Sequence, residues 1–151
     1  MISARGLELI KKFEGFSPLA YPCVAGKMTI GYGHVVLPDE KFPCGVTEKQ
    51  ADELLLKDVA VAEKTVLAFV KTPLNRNQFD ALVSFVFNVG ARNFALSSLL
   101  RAVNDCRFDD CPAEIMRWVY AGGAMCAGLA RRRQAEADLF KKRCVEKRSK
   151  K

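Results

Sequence analysis

A chain of 151 residues, half of them apolar, has enough material for one domain or for two small lobes sharing a core, and it is expected to fold unaided. No window approaches the ~18 consecutive apolar residues of a membrane span, and the opening MISARGLELIKKFEG is charged on a helical period without a signal peptide's apolar block. The expectation is therefore a chain made and kept in the cytosol, whose net charge of +7 calls for a polyanionic partner: nucleic acid, an anionic envelope surface or the carboxylate-bearing bacterial wall. Much of the excess lies in Arg131, Arg132 and Arg133 and in the tail KKRCVEKRSKK, whose end also reads as a plain solubilising surface.

In chain order, Ser3 caps a first helix carrying Leu7, Ile10 and Phe13 on one face, and Gly15 stops it, leaving Glu14 in its last turn. Short stretches rich in Tyr, Val, Thr and Ile, broken by Gly26, Gly31 and Gly33, predict a small hairpin or three-stranded sheet, the only β region expected. Thr47 with Gln50 forms a capping box, and apolar spacing from Ala51 to Val70 continues for about six turns, long enough to join two lobes. Beyond Pro73 the signals are helical. Asn75 with Gln78 starts one helix and Gly90 ends it, Ser97 or Ser98 starts another, and Pro112 with Glu114 a third, expected to include Trp118. Gly122 and Gly123 precede the last, GLARRRQAEADLFKKR. The expected fold class is α+β: a small α+β lobe over about 1–58, a connecting helix over about 48–70, a helical lobe over about 73–143 and a basic tail over 144–151, with a cleft between the lobes.

The six cysteines (Cys23, Cys44, Cys106, Cys111, Cys126 and Cys144) match no metal-knuckle spacing; most read as small buried apolar residues, and Cys106 with Cys111 is the one pairing considered. His34 is the only histidine, too few for a metal site, so it reads as a structural hydrogen-bonding or salt-bridging residue. Tyr32 is read equally as a sugar-stacking cleft residue and as packing, Trp118 as core, and Asn88, just before Gly90, as a helix-end cap.

A hairpin turning on Gly26 would pair Ala25 with Lys27, Val24 with Met28 and Cys23 with Thr29, placing the thiol and the hydroxyl on one face with Cβ atoms ~5 Å apart. Glu14 arrives beside them from a helix C-terminus, where the dipole disfavours the carboxylate and favours the protonated acid. A protonated acid and a second group that holds or activates water are what hydrolysis of a glycosidic bond requires. Here the second group would be a thiol rather than the usual carboxylate.

Glu14, eight residues, Cys23, five residues, Thr29 and then IGYGH resembles the signature of the phage lysozymes of glycoside hydrolase family 24. NQFDALVSFVFNVG (77–90) and GLARRRQAEADLF (128–140) are similar to that family's helical-lobe segments. The resemblance implies a mainly helical, phage-lysozyme-like fold with a small β lobe and an inter-lobe cleft. It implies Glu14 as the general acid, Thr29 as a positioner of the attacking water, and Cys23 in the place where the commoner pattern has Asp. One of Arg131, Arg132 and Arg133 would turn toward Glu14 while the other two stay solvated.

By the same resemblance the substrate is peptidoglycan, cleaved by a monomer at the bond between N-acetylmuramic acid and N-acetylglucosamine without a cofactor. The enzyme would accumulate in the host cytoplasm and reach the periplasm through a holin-made lesion, with the tail attracted to outer-membrane phosphates. The rival enzyme is a lytic transglycosylase. The rival from another class is a basic nucleic-acid-binding module, suggested by charge alone and unsupported by any recognition-helix or stacking pattern.

Overall fold

The computed structural model describes residues 1–23 and 26–142. Helix α1 (Ala4–Glu14) begins where the Ser3 hydroxyl accepts from the Gly6 amide and ends at Gly15, whose positive φ of 71° lets its N–H reach the Lys11 carbonyl. Strands β1 (Ser17–Pro22), β2 (Met28–Gly31) and β3 (His34–Val35) follow as an antiparallel sheet in that order. Helix α2 (Glu48–Phe69) starts at the reciprocal Thr47–Gln50 capping box, and α3 (Arg76–Val89) at the equivalent Asn75–Gln78 box.

After Gly90 come two short helices, α4 (Ala91–Ala95) and α5 (Ser98–Asn104), then α6 (Cys111–Met116), and α7 (Ala127–Lys141) closes the described fold. Ser97 caps α5, accepting from the Leu100 amide. Between α6 and α7 stands a second sheet that the sequence reading did not contain: β4 (Tyr120–Ala121) and β5 (Ala124–Met125). Its two-residue turn is Gly122-Gly123, with φ of 58° and 82°, the left-handed pair that a tight hairpin turn needs. Trp118 accordingly lies beyond the end of α6 rather than on a helix, although it does join the core, edge-on to Phe85 with centroids 5.8 Å apart.

Two apolar clusters share α2. Ala51, near its start, packs with Ile30 and Val46 against the three-stranded sheet, while Leu55, Val59, Ala62 and Val66 join the larger cluster of the other helices. That cluster is built around α3, whose run Ala81–Phe85 is fully buried because α1, α2 and α7 cover it from different sides. Tyr32 packs against both clusters, 5.5 Å from the Phe16 ring with the Lys11 ammonium over its face, so of its two expected roles the structure shows packing. Cys106 and Cys111 are separate thiols: Cys106 meets the Thr72 hydroxyl at 3.2 Å, and Cys111 is buried on the Arg107 carbonyl, its thiol pushed up to about 12 by that burial. The basic tail expected over 144–151 lies outside the described residues.

The hairpin register differs from the expected one. Tyr21 pairs with Thr29 and Pro22 with Met28, and the Cys23 amide donates to the Lys27 carbonyl at 2.8 Å. Gly26, at φ 78°, immediately precedes Lys27 and stands at the end of the turn rather than at its centre. The pairing is thereby displaced by two positions. Val24 and Ala25, whose expected partners were Met28 and Lys27, lie outside the described residues. A shift of two keeps the face, so Cys23 and Thr29 remain on one side of the sheet as diagonal rather than direct neighbours.

The seat of α1 on α3 depends on Gly6. A Cβ there would stand 2.6 Å from Ile2 Cγ1 and 2.9 Å from Asp80 Cγ, and Asp80 is held in place by the Ser3 amide (3.0 Å) and the Ser3 hydroxyl. Alanine would gain up to ~1 kcal/mol in helix propensity, but overpacking of a fixed contact costs about 1–3 kcal/mol and should win. Gly6→Ala is expected to cost a net of up to about 2 kcal/mol of stability, read as a lowered urea midpoint with the m-value unchanged.

Candidate active site

Glu14 ends α1 at the junction of two cavities. One, of about 550 Å³, is lined by Glu14, the Gly33–Val35 turn, Asp58, Val61 and Thr65 of α2, and Phe87 and Asn88 of α3. The other, of about 770 Å³, is lined by Glu14 and Asn88 again, with Lys12, Cys126, Arg131, Arg132 and Asp138. Glu14 and Asn88 are thus the polar pair common to both.

Backbone shape brings the sheet up to this acid. A Cβ on Gly33 would fall 2.5 Å from Glu14 Oε2, so the β2–β3 turn reaches the carboxyl only because residue 33 has no side chain and tolerates a φ of 76°. Next to it, both ring nitrogens of His34 face carboxylates, Nδ1 at Asp58 Oδ2 and Nε2 at Glu40 Oε1, each 2.8 Å, and each bond is donated by the imidazolium when it is protonated. This is the structural salt-bridging role expected of it, tying the sheet to α2 and to the loop at Glu40.

From the other side, Arg132 Nη1 donates to Glu14 Oε1 at 2.7 Å. Of the three consecutive arginines, Arg132 therefore makes the contact with the acid. The expectation that the other two stay solvated holds for Arg131, which is exposed, and fails for Arg133, which is 0% exposed. Arg133 lies 5.0 Å from the Phe85 ring centroid and donates from Nη2 to Asn88 Oδ1 at 2.5 Å. Burial, only partly offset by Glu136, pulls its guanidinium down to about 10, so it stays charged at neutral pH. Asn88 therefore does not cap its helix; its side chain is taken by Arg133 at the cleft.

Cys23 and Thr29 are brought together on one sheet face but not into either cavity lining. Thr29 is 4% exposed and its hydroxyl donates to the Lys27 carbonyl at 3.2 Å, while Cys23 is half-buried at the mouth of the hairpin. Among the described residues no group of three or more His, Cys, Asp or Glu side chains is arranged to hold a metal ion, and no helix is long and apolar enough to cross a membrane. Two participants went unread in the sequence: Ser84 and Glu136, both buried beneath Arg132. The signal for Glu136 was its spacing, three and four residues after Arg133 and Arg132 on one helix face.

Set beside known proteins, residues 11–136 match the family described as phage lysozyme. The endolysin of Acyrthosiphon pisum secondary endosymbiont phage 1 is 39% identical over 145 residues, covering 92% of this chain and 97% of that protein. The endolysin of Bacillus phage PZA is 42% identical over 144 residues, but this chain spans only 54% of its length. Among solved structures, the muramidase domain of SpmX from Asticaccaulis excentricus superposes with a TM-score of 0.87 at 39% identity, covering 95% of this chain and 99% of that one.

The His34 cluster has a pH signature. Burial alone would lower the imidazole, but its bonds to Glu40 and Asp58 outweigh that and raise it above 6.5; the His34 bond, helped by the Leu37 amide, lowers Glu40 below 4.5. A raised histidine stabilises the fold fully below 6.5 and loses that contribution as pH rises through its folded value. A lowered glutamate stabilises fully above 4.5 and loses it as pH falls. The cluster should therefore contribute most between pH 4.5 and 6.5. His34→Gln is expected to lose about 1.5–3 kcal/mol at pH 5.5 and less at pH 8.5, read from urea denaturation at both values; an equal loss at both would contradict the charged pairing.

Proposed function

This chain belongs to the phage lysozyme family, and we propose that it is an endolysin that hydrolyses the β-1,4 bond between N-acetylmuramic acid and N-acetylglucosamine in bacterial peptidoglycan. The observation that carries the reading is the position of Glu14: a carboxyl shared by two adjoining cavities and held at 2.7 Å by a guanidinium that is itself 3% exposed. Membership of that family supports breakdown of bacterial peptidoglycan in lysis.

In the proposed reaction Glu14 donates its proton to the leaving glycosidic oxygen as that bond breaks, and a water attacks the anomeric carbon. Arg132, already in contact, stabilises the carboxylate that proton transfer leaves behind. Thr29 and Cys23, sharing one face of the hairpin, are assigned to the water: Thr29 as its positioner, Cys23 as the group that holds it or accepts its proton. An unperturbed thiol is mostly neutral at pH 7, so Cys23 contributes less as a base than a carboxylate would, and Glu14 supplies most of the acceleration. The scheme calls for no cofactor. The enzyme is assigned to the periplasmic face of the wall, reached from the host cytoplasm through a holin-made lesion, acting as a monomer, with the basic tail drawn to anionic outer-membrane phosphates.

A single carboxyl in the cleft also suits a lytic transglycosylase, in which the sugar's own hydroxyl replaces water. Mass spectrometry of muropeptides released from purified sacculi separates the two: hydrolysis gives reducing ends, and anhydro products lighter by one water would overturn the hydrolase. Glu14→Gln is expected to lose at least ~10²-fold in lysis of permeabilised Gram-negative cells, whereas Cys23→Asp, which restores a carboxylate, should stay within about tenfold of the parent. A fully active Glu14→Gln protein would refute the assignment.

A further inference from the structure

We propose that Glu136 is a positioning residue of the site: one buried carboxylate, fixed by Ser84, aims Arg132 at Glu14 and Arg133 at Asn88 and balances their charge. The inference rests on the reading of Glu14 as the acid.

Glu136 is 0% exposed and wedged between the two guanidiniums. Arg132 Nε lies 3.3 Å from its Oε2, Arg133 Nε lies 3.1 Å from its Oε1, and the Ser84 hydroxyl donates to Oε2 at 2.5 Å. The Arg133 contact is an ion pair without hydrogen-bond alignment, and Arg133 Nη1 is buried with no hydrogen-bond partner, so little besides this carboxylate compensates that arginine. The far ends of the same guanidiniums make the contacts to Glu14 and Asn88, the two polar residues common to both cavities. Arginine is a planar fork: Arg132 is held at Nε by Glu136 and at Nη2 by the Ser84 carbonyl (3.3 Å), which sets the direction of its Nη1, whereas Arg133 is held at the same carboxylate by charge alone.

The charges give this arrangement a consequence a purely structural pair would lack. With Glu14 ionised, two guanidiniums face two carboxylates; with Glu14 protonated as the donor, one positive charge is uncompensated. Burial pushes the Glu136 carboxyl up, opposed by Arg133, Arg132 and Ser84. A neutral Glu136 would leave two buried guanidiniums facing one carboxylate, which those guanidiniums resist. Removing the Glu136 charge should make the cluster favour ionised Glu14 and so deplete the proton donor at lower pH. The other charges facing Glu14 stay unchanged in such a variant: Lys12 and Arg131 across one cavity, and the His34–Asp58 pair across the other. Asp138 is engaged by Gln134 at 2.9 Å, Asp80 of α3 by Ser3, and Glu114 of α6, which packs on α7, by Arg117 at 3.1 Å.

The test measures kcat/KM against pH on dye-labelled sacculi for the parent, Glu14→Gln, Glu136→Gln and Glu136→Asp, with folding checked by thermal denaturation. Glu136→Gln should move the alkaline limb to lower pH by at least about one unit, the order that Coulomb's law gives for removing a unit charge on the far side of one guanidinium at an effective dielectric constant of about 20. Glu136→Asp keeps the charge but is too short to reach both arginines and Ser84; its limb should stay in place while kcat falls at least about fivefold with KM little changed. An unmoved limb in folded Glu136→Gln, or parental kcat in Glu136→Asp, overturns the inference. If Glu136→Gln does not fold, Glu136→Asp decides alone. An inactive Glu14→Gln beside an unmoved limb sinks only the role of Glu136; an active Glu14→Gln sinks the reading of the acid itself.

Discussion

The burial of two guanidiniums between α7 and α3 is the constraint around which the site is organised. Charges removed from water are tolerated only with partners in good geometry, and breaking one such partnership costs far more than a surface ion pair contributes. Arg133, fully enclosed and lying on Phe85, and Arg132, nearly so, therefore fix how α7 sits on α3. Their outer nitrogens are left in defined positions, one on Glu14 and one on Asn88. The packing of the helices and the placement of the acid are a single physical problem with a single solution.

The sheet meets that solution from the opposite side by a different device. It places no charged group in contact with Glu14; it contributes an approach. Gly33 permits the β2–β3 turn to touch the carboxyl, and His34, one residue on, locks the turn to α2 through Asp58 and to its own loop through Glu40. Because Ala51 of α2 belongs to the sheet's cluster and Leu55, Val59, Ala62 and Val66 to the larger one, the same helix transmits the position of each side to the other. Glu14 is held between a rigid charged floor and a turn that is anchored but uncharged at the point of contact, leaving open space on two sides for a polymer.

Local signals were legible throughout. Ser3, Thr47 with Gln50, Asn75 with Gln78, and Ser97 start the helices they were expected to start, because a cap is a contact within three residues and needs nothing from the rest of the fold. The three-stranded sheet and the place of Glu14 in the last turn of α1 were legible for the same reason. The β4–β5 hairpin was passed over because strands of two residues carry no periodicity; only Gly122-Gly123 marked it. The hairpin register was misplaced because a glycine signals a left-handed position without saying whether it lies at the centre of a loop or at its end.

By itself, then, the sequence determined the capped helices and the first sheet, the family resemblance and the candidates Glu14, Cys23 and Thr29, since these rest on short spacings along the chain. Tertiary structure decided which arginine meets the acid, that Arg133 is buried on Asn88, and that Ser84 and Glu136 stand beneath them. Arg131, Arg132 and Arg133 are chemically identical and differ only in the direction each takes around the helix. What lies in that direction, 45 residues away for Asn88 and 118 for Glu14, is set by how α7 packs.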